Sequence, residues 1–218
     1  MLTIQSPKAE SFLDFIEVPI PNNIESIFVK KSSSKSRKSI FQGSENLQEI
    51  TPQNELVFQQ RLFQEDIHQL LPERAPGLKI SKALIGNYDN DMIIVAPFHI
   101  TEETCAGHMP GFPFLPLAEA GRVLAQVGAI LVGYYAKTVE MNTNLITPLV
   151  YKVGEVLSGQ QGYLVPDQSV CIIAKIKKLK GPLYAVEAHG YLNKQHIFSM
   201  PKISYFLSED AKLWGHLG

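Results

Sequence analysis

The sequence predicts an α+β domain in which one long apolar helix lies against a single curved antiparallel sheet. Three observations predict it. One long segment, 117–137, sustains a helical apolar pattern; the segments on both sides of it read as strands; and short turn signals link those strands into hairpins. Residues 1–55 differ in composition and read as an N-terminal extension, with the domain proper at 56–218.

Within the extension, FLDFIEVPI reads as a short strand or a docking segment. KKSSSKSRKS, 30–39, is basic and serine-rich with nothing to bury, so it reads as a solvated loop. A contact for phosphate or for an acidic partner, or a modification site, is its functional alternative. From about Glu65 the chain becomes regular. DIHQLLPERAPGLKI gives a helical turn ended by prolines, then an apolar stretch, and ALIGNYDNDMIIVAPFHI gives two strands around the turn NYDND. A loop with prolines at 110, 113 and 116 follows, and Pro116 stands just before the long helix, where proline is tolerated. Ala118, Ala120, Gly121, Ala125, Gly128, Ala129 and Gly133 allow close packing along that helix, which therefore reads as wrapped by the sheet. LITPLVYKVGEVLSG and SVCIIAKIKKLKG are the next strands, and two more in PLYAVEAHGYLNKQHIFSMPKISYFL join at Asn193-Lys194.

Composition narrows the function classes. The 218 residues are 45% hydrophobic and 19% charged, enough apolar material for a core. A net charge of −1 gives no global attraction to nucleic acid or to an acidic membrane. Cys105 and Cys171 have neither disulfide-framework nor metal-ligand spacing and read as buried free thiols in a reducing compartment, so a cytoplasmic location is expected. The N-terminus lacks the pattern of a secretory signal. The apolar run VLAQVGAILVGYYA is shorter than the roughly 18 residues of a membrane span and is interrupted by Gln126. No metal and no cofactor is expected.

The motifs resemble those of the β-hydroxyacyl-ACP dehydratases of the FabZ and FabA type, which have the hotdog fold. That family's G-H-F-P-G-x-P-x-x-P-G, followed by a helix with E-A-x-A-Q, stands here as GHMPGFPFLP followed by LAEAGRVLAQ. DIHQLLPERAPGLKI is similar to the family's opening segment, and LVPDQSVCIIAKIKKLKG to its V-x-P-G-D strand, so the resemblance runs over about 66–207. It implies a catalytic His108, which takes the α-proton of a 3-hydroxyacyl thioester. It implies that backbone N–H groups near Gly107 and at the helix start polarise the carbonyl. Around His108, Gly107, Met109, Pro116, Leu117, Arg122 and Gln126 are the candidate substrate-binding residues. The partners that the resemblance implies are an acyl carrier protein or a CoA thioester, and a second copy of the chain in a homodimer or a higher oligomer. In such a dimer His108 and residue 122 come from opposite chains.

The family's second catalytic residue, a Glu or Asp fourteen positions after the histidine, is Arg122 here. The family glycine after the third proline is Leu117 here, and the glycine of V-x-P-G-D is Asp167 or is lost. A guanidinium cannot shuttle a proton as a carboxyl can, but it donates hydrogen bonds and stabilises negative charge. Three readings of the pair stay open. Glu119, three residues earlier on the same face, replaces the missing acid; or Glu119 and Arg122 pair along the helix and neutralise a buried charge; or Arg122 receives an anionic substrate group. Two function classes follow: an acyl-thioester enzyme of the dehydratase kind or a divergent relative, and a non-catalytic protein that binds acyl thioesters or acyl carriers. His68, His189, His196 and His216 have no partners at ligand spacing, and His99 reads as a core or edge residue. Glu102 and Glu103 begin the loop toward His108. KIKKLK, 175–180, reads as solvent-facing strand positions, with docking of an acidic carrier as the alternative.

Overall fold

The turn of Asn193 and Lys194 shows how locally this chain is built. Both residues have positive φ, 49° and 70°. That is the geometry of a two-residue hairpin turn whose twist matches the strands it joins. It connects β7 (Leu183–Leu192) to β8 (Gln195–Ser208). The computed structural model describes residues 14–22, 24, 28, 56–74, 76–88, 91–106, 109, 111–140, 147–159 and 163–208.

Before that hairpin come β1 (Val57–Leu62), α1 (Gln64–Leu70), β2 (Ala83–Tyr88), β3 (Asp91–His99), α2 (Glu102–Cys105), α3 (Leu117–Thr138), β4 (Thr147–Val153), β5 (Leu157–Ser158) and β6 (Ser169–Lys178). The strands form one eight-stranded sheet in the order β1-β2-β3-β6-β7-β8-β4, with β5 added beside β8. All its pairings are antiparallel. The expected strands are present, and β1 is an additional one at the edge.

The helix α3 lies against one face of the sheet. Val123, Leu124, Val127, Ile130 and Leu131 are fully buried against Ile94, Phe98, Ile172, Val186 and Tyr205 in the main core. Fully burying a side chain of this kind stabilises by about 1.5–3 kcal/mol, so this contact dominates the fold. The approach is close. Tyr205 Oη donates to the Ala125 carbonyl at 2.7 Å, and a Cβ at Gly128 would collide with that hydroxyl. By length and composition α3 could cross a membrane, but 67% of its apolar window is buried inside this fold.

The other sheet face is also covered. Ile16 and Ile24, exposed by 0% and 1%, pack with Phe15, Val18, Ile20 and Phe28 on Leu84, Ile93, Val95, Cys171, Ile173 and Tyr191. The described residues from Asp14 to Phe28 thus form a strap across the face opposite α3. Glu17 pairs with Lys82 at 3.0 Å, and Lys194 Nζ donates to Asn22 Oδ1 at 2.8 Å. The described part of FLDFIEVPI, 14–20, therefore docks, its residues 14–16 forming a helical turn. The run 30–39 lies outside the described residues.

Candidate functional site

The first turn of α3 supplies one wall of a cleft. Pro116 is the N-cap, with φ −62° and ψ 142°, and no side chain caps the turn. The opening N–H groups of a helix have no partner within it and present the positive end of its dipole. Facing this end is α2, set by a reciprocal cap: Thr101 N donates to Thr104 Oγ1 at 3.0 Å, and Thr104 N to Thr101 Oγ1 at 3.3 Å. Lys79, Glu103, Thr104, Ala106, Pro116 and Glu119 line the resulting cleft of about 280 Å³.

Among the described residues Glu119 Oε2 is buried there with no hydrogen-bond partner, while its Oε1 lies 3.6 Å from Arg122 Nη1. That separation is long beside the roughly 2.7–2.9 Å of a strong charge-assisted hydrogen bond. The pair is not buried as expected from sequence: the Arg122 side chain is 43% exposed. Its guanidinium extends along a helix flank to the loop before β2. Arg122 Nη2 donates to the Gly77 carbonyl at 3.0 Å, and a Cβ at Gly77 would come within 3.2 Å of that nitrogen.

Gln126, one turn further on, is 4% exposed and fully engaged within the chain. Its Nε2 donates to Gly77 O at 2.7 Å and to Glu73 Oε2 at 2.8 Å, and its Oε1 accepts from Lys79 N at 3.0 Å. Arg122 and Gln126 therefore meet on one carbonyl and pin the loop that carries Lys79 into the cleft. Sequence reasoning missed Glu73, Gly77 and Lys79.

Gly107 and His108 lie outside the described residues, as does Pro110. Met109 and Leu117 are 55% and 47% exposed and turn outward. Phe112, Phe114 and Tyr163 form an aromatic cluster with centroids 4.8–5.8 Å apart, and Leu115 N donates to Leu164 O at 2.7 Å beneath it. Cys105, beside the cleft in α2, is a buried free thiol. Burial pushes its pKa up, against a Thr104 hydrogen bond that lowers it, which makes it a poor nucleophile. Among the described residues no cluster of three His, Cys, Asp or Glu side chains could hold a metal ion.

His189 and His196 hydrogen-bond within the chain: His189 Nε2 is 3.0 Å from Glu187 Oε1, and His189 Nδ1 is 3.4 Å from His196 Nε2. Of the run 175–180, Lys175 pairs with Asp91 at 3.3 Å and stands 4.8 Å above the Phe28 ring. His99 is an exposed strand residue whose Nδ1 lies 3.1 Å from Ser169 Oγ. His216 lies outside the described residues.

No family model matches the chain. Over 72 residues it is 40% identical to the 3-hydroxyacyl-[acyl-carrier-protein] dehydratase FabZ of Chlamydia trachomatis, a stretch covering 32% of this chain and 46% of that protein. The chain thus spans less than half the length of the curated relative it matches. The dehydratase heterocomplex ApeI:P from Xenorhabdus doucetiae superposes with a TM-score of 0.54 at 11% identity, over 70% of this chain and 97% of the other. The dehydratase domain of RzxB from Pseudomonas fluorescens superposes with a TM-score of 0.47 at 11% identity, over 69% of this chain and 49% of that one. The antiparallel sheet with one long helix is the hotdog fold. The chain is similar to the FabZ-type dehydratases within it.

Proposed function

We propose that this protein acts on acyl thioesters, as a divergent FabZ-like dehydratase of 3-hydroxyacyl groups carried by an acyl carrier protein or CoA. The observation that carries the reading is Glu119, whose Oε2 is buried, without a partner among the described residues, and on the wall of a cleft at a helix N-terminus. In this reading His108 removes the α-proton. N–H groups at the start of α3 hold the enolate oxygen. Glu119 in its acid form protonates the departing hydroxyl, water leaves, and the enoyl thioester remains. Arg122 and Gln126 act as positioning residues through the Gly77 carbonyl. A second copy of the chain would complete the site. Among the described residues no strand pairs with the outer edge of β4, which supports this, with Val150, Tyr151 and Val153 exposed by 46%, 73% and 48%. Two buried free thiols fit a cytoplasmic setting.

A second reading is favoured by Arg122 itself: with the family acid absent, the protein binds acyl thioesters or their carriers without turnover. The experiment offers enoyl and 3-hydroxyacyl thioesters on both carriers to the native protein, His108→Ala and Glu119→Gln. Turnover lost in both variants supports the dehydratase. Saturable binding of an acyl carrier or CoA thioester by an inert native protein supports the second reading. Neither turnover nor binding removes both.

A further inference from the structure

On the sheet face opposite α3, the β7–β8 hairpin carries a titratable chain that the cleft does not use. It runs from Glu187 through His189 to His196, with contacts of 3.0 and 3.4 Å. A carboxylate only accepts, so His189 Nε2 carries a hydrogen. One further hydrogen then serves the contact between the rings. Either His196 Nε2–H donates to a neutral His189, or a His189 imidazolium donates to a neutral His196. If both rings are charged, two N–H groups meet head on and two cations sit with ring centroids 5.5 Å apart.

Phe28 of the strap meets this chain. The Phe28 ring stands edge-on to His189, with centroids 5.7 Å apart and planes at 82°. Lys175 on β6 stands over the same ring, 4.8 Å from its centroid, its charge paired with Asp91 on β3. Lys194, in the turn, holds Asn22 of the strap. Tyr191 on β7 contacts both imidazoles, and Cys171 lies beneath on β6. We propose that Glu187, His189 and His196 form an acid-sensitive latch for the Phe28 end of the strap, closed while the two rings share one hydrogen and loosened when both carry charge.

The neighbouring groups set the direction. Cys171 and Tyr191 stay neutral: burial pushes the thiol up to about 12 and raises the phenol, with Cys171 and Glu187 adding to the latter. A charge on His196 faces His189, and Lys175 sits opposite Glu187 in the β6–β7 register. The pKa of His196 is lowered from 6.5 by burial and then by His189, against a backbone hydrogen bond at Phe198 that raises it. The loosened state therefore binds the proton more readily. The closed state is fully favoured above pH 6.5 and loses ground as pH falls below that value.

Hydrogen exchange of the full chain, followed by mass spectrometry at about pH 7.5 and about pH 5 and corrected for intrinsic rates, tests the latch. Peptides ending at Phe28 should exchange about two- to fivefold faster at the lower pH, the size expected for repulsion between partly exposed charges, while α3 and β6 do not change. His196→Gln should remove that pH dependence. Phe28→Ala should leave the strap end fast at both pH values. No acceleration in the native chain overturns the latch, and so does an acceleration that survives in His196→Gln or in Phe28→Ala.

Discussion

Two side chains on α3, Arg122 and Gln126, share one acceptor, and this makes their energetics testable. Gln126→Leu keeps the side chain's bulk but leaves Lys79 N–H without its acceptor, at a cost of about 1–2 kcal/mol. Glu73 is exposed and finds water, and Gly77 O keeps Arg122. The expected loss is thus about 1–2 kcal/mol, a fall in Tm of about 2–8 °C for a domain of this size. Arg122→Leu alone leaves Gly77 O with Gln126 and removes a half-exposed ion pair, so it costs less than about 1 kcal/mol. The double variant strips Gly77 O of both donors. It should cost about 1 kcal/mol more than the sum of the singles. Urea denaturation of the four proteins, with m values held equal, measures that coupling. Additivity within about 0.3 kcal/mol would show that Gly77 O is not the shared anchor.

Two further outcomes follow from backbone geometry. Gly128→Ala would normally stabilise a helix by about 1 kcal/mol, but here the new methyl meets Tyr205 Oη. A destabilisation of at least about 2 kcal/mol in thermal unfolding is expected, and a gain would contradict the close packing of α3. Asp167 stands where the resemblance places a glycine and has φ 68°. Asp167→Ala should cost about 1 kcal/mol while Asp167→Gly costs little; equal losses in chemical denaturation would mean that the side chain, not the left-handed backbone, matters.

What was legible in the sequence was local. The helix, the hairpin at Asn193-Lys194 and the strands β3 and β6 carry their signals within a dozen residues. β1 was not legible, because VFQQRL has no alternating apolar face and sits at a sheet edge. The covering of the second face did leave a trace. Ile93 and Val95 point to the strap while Ile94 and Ala96 point to α3, so β3 is apolar on both sides, unlike an antiparallel strand with one wet face. Lys79 and Glu119 reach one cleft from positions 40 residues apart, a placement no local pattern encodes. His189 and His196 meet only because the hairpin register sets Tyr191 opposite His196.

The same geometry predicts what a restored acid would do at position 122. Arg122→Glu replaces a donor with an acceptor near Gly77 O and sets a second carboxylate one helical turn from Glu119. Both neighbours disfavour the anion. The like charge and the acceptor carbonyl each favour the protonated form, so the introduced carboxyl should titrate above the ordinary carboxylate range. That is the state a general acid needs near neutral pH. The substitution should therefore cost some stability, because Gly77 O loses a cationic donor, and should still raise dehydratase turnover at least tenfold. Its kcat/KM should fall on the alkaline side, as the shared proton of the two carboxyls is lost. The decisive measurement is that pH profile beside the same profile for Arg122→Gln, which keeps a donor for Gly77 but supplies no acid. If the two variants match at every pH while both remain folded, residue 122 is not where a proton reaches the leaving hydroxyl, and the clamp on the Gly77 loop is its whole role.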